Sequence, residues 1–193
     1  MPTRTSLCFL LIFGATALAA QDVSETGRSP VEAKFVSSGE IRMALCSSGI
    51  DVVGKDDGQL RVSYDTSRGN VKVRIRVDGD RADLSVNDCP NGNFRVTIEV
   101  PKSSSLYVRM FAGELNVEGV TGDKDVTLHF GQLTMDLVKP ELYGRVEASV
   151  NSGDLEASPF SISKGGLFRS FSQTGPGTYR VRAHVGAGQL ELR

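Results

Sequence analysis

The residues of this 193-residue chain that could do chemistry are few and widely spaced. Ser161-Ile162-Ser163-Lys164 matches the S-x-x-K spacing of serine acyl enzymes, which places the lysine amine beside the serine hydroxyl across one helical turn. Pro159 precedes this tetrapeptide and Gly165-Gly166 follow it, so it reads as a coincidence of spacing on a loop or strand. His129 and His184 stand far apart in sequence among the apolar residues Leu128, Phe130 and Val185. A metal site needs three or four converging ligands, so both histidines read as strand-face residues. Asp78, Asp80 and Asp83 offer the oxygens calcium prefers, but without the twelve-residue loop and its closing Glu they read as a polar hairpin turn. Gly175-Pro176-Gly177 is a turn with no following helix to hold a phosphate. There is no G-x-S-x-G elbow, H-E-x-x-H pair or P-loop. The expectation is a protein with no catalytic residue, no metal and no cofactor.

Binding chemistry is better represented. In Val71-Lys72-Val73-Arg74-Ile75-Arg76-Val77 four apolar residues alternate with Lys72, Arg74 and Arg76, the pattern of a half-buried strand with three cations on its outer side. That row, with Arg180 and Arg182 on a later strand, is the candidate binding face for an anionic glycan or lipid headgroup, although such a row also blunts a sheet edge. Over the whole chain 22 Lys and Arg balance 23 Asp and Glu, which excludes nucleic acid as the principal partner.

The same alternation covers Gln59 to Tyr64, Asn93 to Val100, Ser105 to Met110, Asp125 to Phe130 and Thr178 to Ala183, and no 3.6-residue apolar stripe lies between them. The fold is therefore expected to be all-β, with no substantial helix outside the N-terminal segment. Superimposed on the alternation is a unit of Gly, a polar residue, an apolar residue, any residue and a second apolar residue. It begins at Gly39, Gly58, Gly69, Gly92, Gly113, Gly131, Gly153 and Gly188, at steps of 19, 11, 23, 21, 18, 22 and 35 residues. Most steps approximate one rung of a β-solenoid, so the expected architecture is a solenoid-like stack of short rungs with glycine at the corners, where a Cβ would block close backbone approach.

Residues 1–19 carry one charge at Arg4, an apolar run from Leu7 and the small-residue site Ala17-Leu18-Ala19, as in a secretory signal peptide cut after Ala19. The run is shorter than the ~20 residues of a membrane span, no lipobox surrounds Cys8, and no transmembrane segment follows. Residues 20–34 are polar and lack an apolar period, so they read as a flexible leader before a domain at 35–193. Loss of Cys8 with the signal leaves Cys46 and Cys89 in a disulfide-permissive compartment. If they lay two rungs apart their separation would be roughly 9 to 10 Å, beyond the ~7 Å a disulfide tolerates, so their bonding is left open.

The stretch from Val96 to Arg109, containing Val100-Pro101-Lys102-Ser103-Ser104-Ser105-Leu106-Tyr107-Val108, runs into Ala112-Gly113-Glu114-Leu115-Asn116-Val117. Together with Ser152-Gly153-Asp154-Leu155 it resembles the bacterial putative-adhesin family, or toast-rack domains, in which a V-P-K strand leads into repeated S-G-D units. Ala112-Gly113-Glu114, Phe130-Gly131-Gln132 and Ala187-Gly188-Gln189 depart from that unit at its first and third positions. The resemblance covers residues 35–193 and implies an exported toast-rack-type protein of the bacterial periplasm or cell surface. Some members of that family accompany envelope-stress systems, and it has no catalytic motif to carry over.

The expected function is accordingly a non-catalytic envelope protein acting as a binding, adhesion or scaffolding surface for an envelope protein or glycan. Two alternatives share the alternation. A small outer-membrane β-barrel would need aromatic girdles, and this chain has no Trp and charges on nearly every strand. A polysaccharide-acting β-helix enzyme would need converging carboxylates, for which Glu40, Glu114 and Asp154 are the available residues, yet Gln59, Gln132 and Gln189 occupy the same position of the repeat.

Overall fold

The computed structural model describes residues 20–137 and 139–193. Its strands are β1 (Gln21–Thr26), β2 (Val31–Lys34), β3 (Glu40–Leu45), β4 (Ser48–Lys55), β5 (Gln59–Tyr64), β6 (Lys72–Asp78), β7 (Arg81–Asn87), β8 (Arg95–Pro101), β9 (Ser105–Glu118), β10 (Lys124–Met135), β11 (Tyr143–Ala157), β12 (Ile162–Thr174) and β13 (Tyr179–Leu192). Only three-residue 3-10 turns interrupt them, and there is no α-helix among the described residues.

The long strands β9, β10, β13 and β11 lie side by side, parallel and in register, and each bends at a glycine. Gly113, Gly131, Gly188 and Gly153 form one row with φ between +126° and +141°. A Cβ on Gly131 would overlap the Gly113 carbonyl oxygen, one on Gly188 that of Gly131, and one on Gly153 that of Gly188. Two independent reasons, backbone sign and backbone contact, thus demand glycine at this corner. β12 closes the row antiparallel to β11.

The bend gives every long strand two arms. Before it, β9 pairs with β3, from Glu40↔Ser105 to Leu45↔Met110; after it, β9 pairs with β4, from Ser48↔Gly113 to Val53↔Glu118. β3 and β4 are therefore one bent rung interrupted at Cys46-Ser47. β7 and β8 form a second interrupted rung, and β6 with β5 and then β1 with β2 extend the two arms further. Alternate residues of both arms point into the angle. Leu106, Val108 and Met110 from one arm of β9 and Leu115 and Val117 from the other join Ile41, Ile50, Ile75, Ile98 and Leu128 in one buried cluster. Each such side chain contributes about 1.5–3 kcal/mol on burial.

Three expectations need correction. Residues 20–34 are not a loose leader but the strands β1 and β2. Gln21 to Thr26 has one apolar residue, Val23, and is held by antiparallel pairing with β6, while Val31 and Ala33 are buried beyond β5. Pairing to an existing edge here overrides weak local preference. Secondly, the rungs do not stack in chain order: the first arm runs β1-β6-β7-β3-β9-β10-β13-β11-β12. Gly39 and Gly58 stand just before β3 and β5, and Gly69 and Gly92 in the turns leading to β6 and β8, so these four start strands while the later four bend them. Thirdly, the two-rung distance for the cysteines does not hold. Cys46 and Cys89 are bonded, with Cα atoms 5.9 Å apart, because they follow the ends of the neighbouring strands β3 and β7, which pair as Leu45↔Val86. The intervening β4 and β5 lie in the other arm, and β6 pairs with the far side of β7. The signal-peptide reading and Cys8 lie outside the described residues.

Candidate functional site

Nonlocal pairing brings the outward-pointing residues of the first arm into continuous rows. One row runs Asp22, Arg76, Asp83, Arg42, Tyr107, Asp125, Arg182 and Glu147 across β1, β6, β7, β3, β9, β10, β13 and β11. Acid and base alternate on either side of Tyr107, which stands between Arg42 and Asp125. The adjacent row runs Ser24, Arg74, Ser85, Ala44, Arg109, Thr127, His184 and Ser149.

Lys72, Arg74 and Arg76 stand exposed on β6, and their counter-charges come from elsewhere in the fold. Arg74 donates from Nε and Nη2 to the two carboxylate oxygens of Asp22 at 3.1 and 2.8 Å, Arg76 lies 3.7 Å from the same carboxylate, and Lys72 lies 3.7 Å from Asp88. The Arg74 guanidinium holds the Asp22 carboxyl below its ordinary range. Such exposed pairs contribute little to stability and weaken with salt. Arg180 and Arg182 do not join this cluster, because β13 is separated from β6 by β7, β3, β9 and β10. Arg182 instead lies 3.4 Å from Glu147, whose carboxyl Arg145 and Arg182 together hold low.

The residues that do join β6 were not identified from the sequence. Arg42 on β3 and Tyr107 on β9 follow Arg76 along one row beyond Asp83, and Arg109 on β9 faces Arg74 along the other across Ser85 and Ala44. Those two small residues floor a shallow trough of about 530 Å³. Arg42 bonds Glu40 at 2.8 Å and sits 5.8 Å from the centre of the Tyr107 ring, and Arg109 bonds Asp125 at 2.8 Å. The outward positions of β3 and β9 were readable from alternation, but their proximity to β6 depends on the order of strands in the sheet.

The other candidates do not converge. Ser161 ends a 3-10 turn with left-handed φ of +56°, and the Lys164 amine donates to the Ser170 carbonyl at 2.9 Å, so no helix presents the S-x-x-K pair. His184 Nδ1 lies 2.9 Å from Ser149 Oγ, while His129 packs near the exposed ring of Phe111 at the corner. Ser149 and His184 line a second trough of about 680 Å³ together with Glu147, Lys164 and Arg182. Glu114 and Asp154 share a row with Gln132 and Gln189 between them, three strand spacings or about 14 Å apart, too far for a glycosidase carboxylate pair. Among the described residues no three His, Cys, Asp or Glu side chains converge on a metal position.

Two titratable side chains, Lys124 at the start of β10 and Tyr143 at the start of β11, are deeply buried against each other. The Lys124 amine donates to the Tyr143 hydroxyl at the start of β10, and burial pushes its pKa down to about 7, with the charges of Asp136 and Asp123 partly opposing that shift. Burial raises the Tyr143 phenol. Both side chains sit inside the core, away from the trough.

No family model matches the chain, and no curated protein matches it. The fold is similar to the solved structure of a putative cell adhesion protein from Clostridium sporogenes, with a TM-score of 0.50 and 12% identity over 86% of this chain and 100% of that one. A putative adhesin from Bacteroides fragilis aligns with a TM-score of 0.33 and 12% identity over 90% of this chain and 97% of that one. No helix among the described residues is long and apolar enough to cross a membrane.

Proposed function

We propose that this chain is an exported, non-catalytic binding or adhesion protein of the bacterial envelope, periplasmic or at the cell surface, in which Gly-cornered rungs of the toast-rack kind build a long contact face. The observation that carries this reading is the registered outer face itself. Strands about 4.8 Å apart present rows of charged and hydroxyl side chains across the first arm, suited to many weak contacts with an extended glycan or polypeptide. Similarity of fold to a putative cell adhesion protein supports the same reading. A link to envelope stress belongs to it as well, since some members of the resembling family accompany such systems. In the test, Lys72, Arg74 and Arg76 are replaced together by Ser and association of the exported protein with isolated envelopes is measured from low to high salt. The variant should keep its fold and lose salt-sensitive association; undiminished association at low salt would place the contact elsewhere.

A further inference from the structure

We propose that the trough between β6 and β9 is a subsite for a carboxylate-bearing sugar, a uronate unit of an acidic glycan. This deepens the binding function proposed above and rests on it. The walls are Arg74 and Arg76 on one side and Arg109 and Tyr107 on the other, the floor is Ser85 and Ala44, and between Arg76 and Tyr107 stand Asp83 and Arg42, so four guanidinium groups face one lining carboxylate. From Arg74 to Arg109 is three strand spacings, about 14 Å, which admits a short oligosaccharide lying along the sheet.

The ligand class follows from the lining. Guanidinium forks recognise planar oxyanions by paired hydrogen bonds, and the protein already shows the match, because Arg74 holds the carboxylate of Asp22 through both oxygens. Tyr107 and Ala44 supply apolar contact for the C–H face of a sugar ring. A single aromatic side chain is not the series of stacking platforms that single-stranded nucleic acid uses. The exposed Phe111 and Phe130, which acyl chains would favour, belong to the corner and do not line the trough. Asp22 occupies the fork that a ligand carboxylate would take, so β1 carries an internal competitor for the site.

Shape and charge can be separated by substitution. Ser85→Tyr fills the floor without changing charge. Lys55→Ser removes an exposed cation on β4, in the other arm, that does not line the trough. Asp22→Asn removes the competitor. The protein from Ala20 is titrated with tetragalacturonate, with a neutral tetrasaccharide, with inorganic phosphate and with phosphatidylglycerol vesicles, and each variant's melting midpoint is checked first. Expected are saturable binding of the tetragalacturonate alone, a loss of tenfold or more in Ser85→Tyr, less than twofold change in Lys55→Ser and a several-fold gain in Asp22→Asn. The proposal is overturned if tetragalacturonate does not saturate, if phosphate or vesicles bind equally well, or if a folded Ser85→Tyr binds like the parent. Envelope association that persists without tetragalacturonate binding would sink the subsite and leave the adhesion reading standing; loss of both would sink both.

Discussion

Gly188 lies so close over Gly131 that the Cβ it lacks would fall on the Gly131 carbonyl oxygen, and Gly153 stands in the same relation to Gly188. The corner is thus a ladder of backbone contacts in which a side chain on one rung displaces the next. Gly153→Val should cost about 1–3 kcal/mol from its φ of +131° alone, with the overlap adding to that. Gly92 provides the control, since its φ is +94° but no atom lies within 4 Å of the missing Cβ, so Gly92→Ala should incur strain alone. Thermal melts in which both substitutions cost the same would refute the contact ladder.

The disulfide ties two rungs at the place where their strands are interrupted. β9, β10, β13 and β11 continue through the bend, whereas β3 breaks from β4 at Cys46-Ser47 and β7 from β8 over residues 88–94. Replacing Cys46 and Cys89 by Ser opens a loop with a sequence separation of 43 residues, for which chain entropy predicts a loss of about 4 kcal/mol. At roughly 2–4 °C per kcal/mol for a chain of this size, the melting midpoint should fall by about 8–16 °C, and the parent protein should shift similarly when reduced.

Local pattern carries some of these features and not others. The alternation of Val71 to Val77 identifies β6 without help, and the row of Gly113, Gly131, Gly153 and Gly188 is visible because each repeats the same short unit. Strand order is invisible to both signals, since Arg42, Arg74 and Arg109 become neighbours only through β3-β7 and β3-β9 pairing between distant segments. The same blindness leaves the pairing of Cys46 and Cys89 open in the sequence and the trough unseen. β1 was missed for a different reason: an edge strand is stabilised by the backbone groups of β6, so Gln21-Asp22-Val23-Ser24-Glu25-Thr26 needs little apolar character of its own.

That account of β1 and β2 makes a direct prediction for truncation. A protein beginning at Phe35 would lose the buried Val31 and Ala33, worth roughly 3 kcal/mol together, and the bond from the Tyr64 hydroxyl to the Arg28 carbonyl. It would also uncover the edges of β5 and β6. The expected result is a melting midpoint lowered by at least about 6 °C together with concentration-dependent association on size exclusion. A flexible leader could be removed with neither change, so an unaltered, monomeric truncation would contradict the two strands.

Lys124 should leave a signature in the pH dependence of stability. Its amine is buried against the Tyr143 hydroxyl, and burial lowers its pKa from 10.5 to about 7 although Asp136 and Asp123 pull the other way. Between those values the unfolded chain binds a proton that the folded chain does not, so stability rises with pH through this window, by up to about 1.4 kcal/mol per pH unit. Below pH 7 both states hold the proton and this group contributes no slope. Above pH 10 Tyr143 acts in the opposite sense, since its raised pKa keeps the folded phenol protonated while the unfolded one ionises. The clean interval is therefore pH 7 to 9.5. Urea denaturation across it should show a rising free energy for the parent protein, and Lys124→Met should remove that rise whatever it does to the absolute value. A parent profile that is flat over the interval, or a rise that Lys124→Met retains, would show that this amine stays charged in the core.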